Sequence, residues 1–499
     1  MSTNTLHPNL DAEDLARTLS GHNFIDGELT PARSGRTFAV INPATGRKIA
    51  DAPFSVADDV DVAVRAAQRA QHEWANTPAR RRGALVIECA RLLASHVEEL
   101  ARLVTLETGK AIRTESRPEA EGIADMLQYY GGLASELKGE TVPHRPDVLT
   151  LTVREPIGVV GAILPWNAPM YILAMKIGPS LVAGNAVVVK SAEEAPLAVL
   201  RVCQILNRVL PKGLLNVVAG HGPECGAPLV AHPGVHKITF TGSVETGKII
   251  YKTAAEKLIP VTLELGGKSP MIVMPDADLD QAAAGAVAGM RFTRQGQSCS
   301  ASSRMIVHES VHDAFVIKVK ALVDAMKIGD PMDESTDIGT IISPAQYDKV
   351  CGYIETGRSL PGTTAVECST LPANEALRAG LFVRPVMFTG LTNDSKLARE
   401  EIFGPVVCVI KFSSYEQALA MANDTDYGLT ASVWTRDLQT AMDASLRLQA
   451  GFVQVNQNIV AQPGLSYGGY KNSGLGKEAS LEAMLDHFTQ MKTILVNLA

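Results

Sequence analysis

Between Gly158 and Gly266 the chain repeats one theme, a short β-branched apolar run followed by a stretch of helical composition. The runs read "GVVGAIL", "NAVVVK", "LLNVVAG", "HKITF" and "PVTLELG", and Met170–Val182 and Ala195–Leu210 are among the helical stretches between them. A strand covered on both faces has no wet side, so its residues read as a continuous apolar run rather than an alternation. Strands alternating with helices therefore predict an α/β fold built on a parallel, doubly wound sheet. A second α/β block is expected from Ser269 to about Ala461, containing "DLDQAAAGAVAGM", "SRMIVHESV", "PVVCVIKF" and "TASVWTR". With 499 residues the chain exceeds what one core usually serves, so two or three domains are expected.

Ahead of these blocks, Ala57–Ala75 has helical spacing, and "VIECARLLASHVEELARLVTLETG" reads as another amphipathic helix. Two segments stand apart. "VLTLTVREP" (Val148–Pro156) alternates with period two, as a half-exposed strand does, and "KTILVNL" (Lys492–Leu498) has strand composition. Exposed strands of this kind either pair with another chain or pack back at the terminus.

Several function classes are disfavoured at once. A formal charge of −7, with no block of five Lys or Arg, argues against a nucleic-acid surface. The start "MSTNTLHPNLDAEDL" has no basic or apolar region of a secretory signal. No stretch approaches the roughly 18 apolar residues of a membrane span, so a cytoplasmic enzyme is expected. Seven cysteines without C-x-x-C spacing suit neither a disulfide framework nor a metal site. Each reads as a small buried hydrophobe, except Cys299.

The stretch "GSVETGKI" (Gly242–Ile249) matches G-x-x-x-x-G-K but ends in Ile249, where a P-loop needs a hydroxyl for Mg²⁺. No strand ending in a compensating Asp is evident, so ATP hydrolysis is not expected. The other reading is a strand-to-helix turn permitted by Gly242 and Gly247. The helix beginning near Val244 would then offer unpaired N–H groups to an anion, with Lys248 solvated.

Five further motifs could carry chemistry, and each has a bland alternative. Cys299 in "FTRQGQSCSASSR" sits among Gln297, Ser298 and Ser300, and Arg294 could add positive potential that favours a thiolate. Glu264 in "LELGGKSP" is either solvated beside a turn or desolvated enough to act as a base near neutral pH. Asn167 in "LPWNAPMY" lies past a strand end, where ligands bind, and is either a turn residue or an amide donor to an oxyanion. Lys190 and Glu193 in "VVVKSAEEAP" form either a surface ion pair or a ribose site. Glu401 and Phe403 in "REEIFGPV" could hold a sugar and a ring.

Read in order, "PWNAP", "KSAE", "FTGSVETG", "LELGGKSP", "GQSC", "EEIFGPV" and "YGGYKNSGLGKE" strongly resemble the NAD(P)-dependent aldehyde dehydrogenase superfamily. The resemblance runs from "FIDGE", just after Asn23, to the end of the sequence. It implies that Cys299 attacks the aldehyde to give a thiohemiacetal, whose oxyanion is held by Asn167 and the Cys299 N–H. Hydride loss to the nicotinamide leaves a thioester, and Glu264 activates the water that hydrolyses it. No metal is implied. By the same resemblance Lys190 and Glu193 bind the adenosine ribose, and Gly242 and Ser243 meet the pyrophosphate. Glu401 grips the nicotinamide ribose beside Phe403, and Trp166 shapes the crevice. Glu193 would repel a 2′-phosphate and favour NAD, while Lys190 keeps NADP as the alternative.

The implied fold is a Rossmann-like NAD-binding domain (1–127 and 150–263), a catalytic domain (264–465) and a β oligomerisation arm (128–149 and 480–499). Homodimers and homotetramers are both common in the family. Ala168, Thr293 and Ala461 are small where relatives often carry rings, and with Ser298, Tyr171, Ile172, Met175 and Tyr467 they would line a tunnel for bulky or aromatic aldehydes. Arg291 or Arg294 would instead favour an acidic semialdehyde. A CoA-acylating relative and a non-catalytic NAD-binding protein are the remaining alternatives. Glu264 as water activator argues against the first, and intact Cys299, Glu264 and Asn167 against the second.

Overall fold

In the computed structural model of the chain, residues 11–459 and 461–499 are described. The first part of the stretch read for a secretory signal, residues 1–10, lies outside them. The five apolar runs after Gly158 become neighbouring parallel strands, in the order Leu215–Val218, Ala186–Lys190, Val159–Ile163, Lys237–Thr241, Val261–Glu264. An N-terminal hairpin (His22–Ile25, Glu28–Pro31) extends one edge, and the short antiparallel strand Gly474–Leu475 extends the other. The chain starts at Val159–Ile163, winds outward, and returns to lay Lys237–Thr241 on the opposite side. That reversal leaves a crevice beyond the carboxyl ends of these two strands.

The second block is a seven-stranded sheet in the order Thr364–Glu367, Val386–Thr389, Val406–Phe412, Arg304–His308, Pro270–Val273, Thr430–Trp434, Phe452–Val455. Its pairs are parallel except at the edge strand Thr364–Glu367. Both sheets have buried helices against them, which is why "AVVVK" is buried at every position. Among the described residues no helix is long and apolar enough to cross a membrane.

Three expectations change in detail. The stretch Val86–Gly109 is two helices, Ala79–Ala94 and Val97–Thr108. The first closes in tight turns, with Ser95 N–H on the Leu92 carbonyl (3.1 Å) and His96 N–H on that of Leu93 (2.8 Å), while the His96 ring meets Glu99 (3.0 Å). The strand Val148–Pro156 has its expected bounds, but the late strand Thr489–Asn497 pairs with it inside the same chain, from Thr489↔Pro156 to Asn497↔Val148. With Thr141–Arg145 they make a three-stranded sheet. A boundary at 150 would cut this strand, whose pairing with Thr489–Asn497 runs unbroken to Pro156, and residues 128–132 finish the helix Arg117–Gly132 packed on Pro169–Ala183.

Candidate active site

Past the strand Val159–Ile163 the chain turns through Pro165, Trp166 and Asn167 into the helix Pro169–Ala183. Pro169 suits the first helical position, where its missing N–H costs nothing. Asn167 is buried, and its Nδ2 donates to the carbonyl of Gln297 at 3.0 Å, so the amide is pinned against the loop that carries Cys299. From sequence, Gln297 reads only as part of the polar surroundings of Cys299. Its buried side chain donates to the Thr340 carbonyl (3.3 Å) and accepts from Ile342 N–H (3.1 Å).

The expected base, Glu264, ends the strand Val261–Glu264. It is buried, and neither carboxylate oxygen has a hydrogen-bond partner. Burial first, then the nearby Glu478, push its carboxyl well above the ordinary range, with Lys176 and Lys477 opposing. Glu478 accepts from Lys176 Nζ (2.8 Å) and from Thr239 Oγ1 (2.9 Å). This group escaped the sequence reading. Its one signal was a lysine inside the apolar helix "YILAMKIGPSLVA", because a buried ammonium needs an acidic partner.

The two glycines after Leu265 are required by close approach. A side chain on Gly266 would run into the Glu401 carboxylate, and one on Gly267 into the carbonyl oxygen of Cys299. Glu401 Oε1 accepts the Gly267 N–H at 2.9 Å, and burial raises its pKa. Phe403 is left-handed (φ 59°), an unfavourable state for a bulky residue. The Gln346 amide holds that turn by donating to the carbonyls of Ile402 (3.1 Å) and Phe403 (2.8 Å). The Phe403 ring meets Trp166 edge-on, 5.3 Å between centroids.

Cys299 does not have the thiolate-favouring setting expected for it. Burial, Glu401 and Glu264 push its thiol up to about 11, and Tyr467 and Arg294 oppose this only in part. The Arg294 charge is largely satisfied elsewhere, in an ion pair with the buried Glu115 (2.6 Å). The thiol therefore awaits a proton acceptor or an added positive charge.

A cavity of about 210 Å³ is lined by Trp166, Asn167, Glu264, Cys299, Glu401 and Phe403, among others. It shares Pro165, Trp166, Thr241, Gly242 and Ser243 with a larger crevice of about 650 Å³ that reaches Lys190, Glu193 and Thr246 between apolar Val230 and Ile249. Lys190 Nζ and Glu193 Oε1 form an ion pair at 2.9 Å on this wall, so the bland pairing and the ribose reading share one place. Ser243 caps the helix Val244–Glu256: its Oγ accepts the Thr246 N–H (3.2 Å). Gly242 N–H donates to the Glu264 carbonyl (3.1 Å). Gly247 is not part of the turn. It lies within the helix, where a side chain would strike Leu265.

The eight residues expected in a substrate tunnel do not line the cavity around Cys299. Ala461, Tyr467 and Met175 belong to one buried apolar cluster, with Tyr171, Ile172 and Cys299 packed against it. The Tyr171 hydroxyl donates to the Ala461 carbonyl (2.9 Å), and Ala168 is buried just before the helix Pro169–Ala183. Thr293 gives its hydroxyl to Glu115, and the Ser298 hydroxyl meets that of Ser300 (3.2 Å).

The family model described as "Aldehyde dehydrogenase family" matches residues 29–494. A hydroxyisobutyraldehyde dehydrogenase from Mycolicibacterium austroafricanum is 41% identical over 476 residues, 95% of this chain and 93% of that one. The crystal structure of betaine aldehyde dehydrogenase from Staphylococcus aureus, in complex with NAD+, superposes with a TM-score of 0.93 at 35% identity, covering 98% of this chain and 97% of that one. A mutant aldehyde dehydrogenase from Bacillus cereus gives a TM-score of 0.94 at 37% identity, covering 99% of each chain.

Proposed function

The chain belongs to the aldehyde dehydrogenase family, and on that premise we propose that it oxidises an aldehyde to its carboxylic acid with NAD, through a thioester on Cys299. One observation carries the reading: an amide pinned to the nucleophile loop, 3.0 Å from the Gln297 carbonyl, shares a cavity with Cys299 and the buried, unpartnered Glu264.

The dinucleotide suits the residues present. The long crevice is lined by the first turns of the helix Val244–Glu256 and by Lys190 and Glu193, and the buried Thr241 hydroxyl on its wall lacks a partner. Lys190 and Glu193 would hold the adenosine ribose, Gly242, Ser243 and the helix start the phosphates, and Glu401 with Phe403 and Trp166 the nicotinamide ribose and ring. When bound, NAD supplies the hydride acceptor. The chain's own groups do the rest. Cys299 loses its proton and adds to the carbonyl carbon. Asn167 and the Cys299 N–H hold the oxyanion, donors of a kind each worth roughly 2.7–4 kcal/mol. After hydride loss, Glu264 takes a proton from water as it attacks the thioester, releasing the acid and the free thiol. The balance is aldehyde, water and NAD+ to acid, NADH and a proton.

The small side chains at Ala168, Thr293 and Ala461 support bulky or aromatic aldehydes that reach Cys299 through the apolar cluster packed against it, since none of the three lines the cavity. Arg291 supports a second reading. It is left-handed (φ 57°), lies within electrostatic reach of Glu115, Tyr467 and Cys299, and makes no direct ion pair among the described residues, which leaves its head group able to meet an acidic semialdehyde. Transfer of the acyl group to CoA is the alternative that Glu264 disfavours. A homodimer or homotetramer is supported by the unpaired outer edges of the three-stranded sheet and by exposed Met491 and Leu495. Seven free cysteines suit a cytoplasmic setting.

The test is NADH formation over a panel of benzaldehyde-type, short aliphatic, hydroxyisobutyraldehyde, betaine aldehyde and semialdehyde substrates, with and without CoA. Turnover that disappears in Cys299→Ser supports the reading. Undiminished turnover in that variant, or product only as acyl-CoA, would overturn it.

A further inference from the structure

Asn167 is held from behind by two buried charges from a distant part of the sequence. Between the helices Val97–Thr108 and Arg117–Gly132 the chain makes a tight turn that brings Glu107, Lys110, Glu115 and Glu119 inward. All four are buried. Lys110 Nζ bonds the Glu119 carboxylate and also donates to the backbone carbonyl of Asn167 at 3.2 Å. Glu119 Oε1 accepts the N–H groups of Met170 (2.9 Å) and Tyr171 (3.3 Å), in the first turn of the helix Pro169–Ala183. The backbone is thus fixed on both sides of Ala168, and with it the direction in which the Asn167 side chain leaves.

The same segment grips the nucleophile's loop. Glu115 accepts from the Thr293 hydroxyl and from Arg294 Nε (2.7 Å), shortly before Cys299. Its backbone docks on the second block as well, with Thr340 N–H on the Gly109 carbonyl (2.9 Å) and Ile112 N–H on the Pro331 carbonyl (2.8 Å). Thr340 is in turn the residue whose carbonyl anchors Gln297, the partner of the Asn167 amide (3.3 Å).

We propose that Lys110 and Glu119 are positioning residues that set the oxyanion-binding amide of Asn167 relative to Cys299, using the turn 107–119 as a common frame. Capping alone would not call for this arrangement. An exposed Asp or Ser before Pro169 would satisfy the helix N-terminus without burying a lysine. A buried ion pair adds little to stability compared with an apolar filling, but its directed bonds fix geometry. Fixed geometry is what an oxyanion donor needs, since its hydrogen bond acts only where charge develops. The inference rests on the reading of Cys299 as nucleophile and Asn167 as donor.

The test is a double-substitution cycle on the full-length enzyme, Glu119→Gln with Asn167→Ala. It is read by aldehyde oxidation and by hydrolysis of 4-nitrophenyl acetate without NAD. The ester needs the nucleophile and the donor but no hydride acceptor. Glu119→Gln is expected to lower kcat in both assays by about 10- to 100-fold, the scale of a displaced catalytic group. NAD affinity should stay near that of the parent, while the melting point should fall because the buried Lys110 loses its charge partner. Placed on Asn167→Ala, it should cost no more than about a further twofold, because its effect passes through the amide already removed. Lys110→Met repeats the cycle should Glu119→Gln not fold. Equal losses in both backgrounds, or kcat within about twofold of the parent for both single variants, would overturn the positioning role. If Asn167→Ala itself leaves both activities intact, the oxyanion reading falls and takes this inference with it.

Discussion

The carbonyl oxygen of Cys299 occupies the space that a side chain on Gly267 would need. Backbone cannot swing aside as a side chain can, so Gly267→Ala has to move Cys299, the proposed nucleophile. Gly266→Ala meets only the Glu401 carboxylate, which is the end of a flexible side chain. We expect Gly267→Ala to lower kcat by about a hundredfold or more, as a misplaced reacting group does. Gly266→Ala should act mainly on cofactor affinity. Comparing kcat with NAD binding by titration in both variants checks the split.

Glu264 works as a base only once deprotonated, and burial with Glu478 nearby raises the pH at which that happens. The hydrolytic step should therefore quicken as pH rises through the raised pKa. Glu478→Gln removes the negative neighbour and leaves Lys176 without its acidic partner, and both changes favour ionised Glu264. The rising limb of the kcat profile should move to lower pH. A limb that stays put or moves upward would contradict the assignment. Glu264→Gln should release about one equivalent of NADH per site and then stall as the thioester.

With its thiol pushed up to about 11, Cys299 in the free enzyme is mostly protonated at neutral pH. Alkylation by iodoacetamide should be slow at pH 7 and steepen about tenfold per pH unit toward that value. Glu401 is the largest charge raising it, so Glu401→Gln should speed alkylation at pH 9. Peptide mapping of the labelled residue with rates across pH tests this, and an early plateau would refute it.

Lys190 and Glu193 neutralise one another at 2.9 Å on the crevice wall. Removing the acid by Glu193→Ser both ends repulsion of a 2′-phosphate and frees the ammonium to bind it. The parent should prefer NAD clearly, and the variant should gain about tenfold in kcat/KM with NADP, on the scale of one charge-assisted hydrogen bond. Equal efficiency of the parent with both cofactors would count against Glu193 as the selector.

The parts legible in the sequence are those set by local pattern. The strands after Gly158 announce themselves because both faces are dry, and Asn167, Glu264 and Cys299, which the fold brings to one cavity, draw notice because each stands at a strand end or in a polar loop. Apart from one local helix break, what stayed hidden depends on partners far along the chain. Arg294 looks like a charge beside a cysteine until Glu115 is seen to take it. The helical periodicity continues past Ser95 and His96 and so conceals the break there. The strand Thr489–Asn497 has the same composition whichever chain completes it. Ser243, given from the resemblance only a pyrophosphate contact, also caps the helix Val244–Glu256, a role set by its residue type and its place directly before Val244.

The late strand Gly474–Leu475 lies along Val261–Glu264, and Glu478 follows it directly. The timing of biosynthesis inherits that arrangement. A nascent chain that has emerged past Cys299 holds its nucleophile, while the surroundings that give Glu264 its basicity are still being translated. On the proposed mechanism the water-activating half of the site is thus the last to be completed, and hydrolysis of the thioester waits on a segment that joins the fold after Cys299.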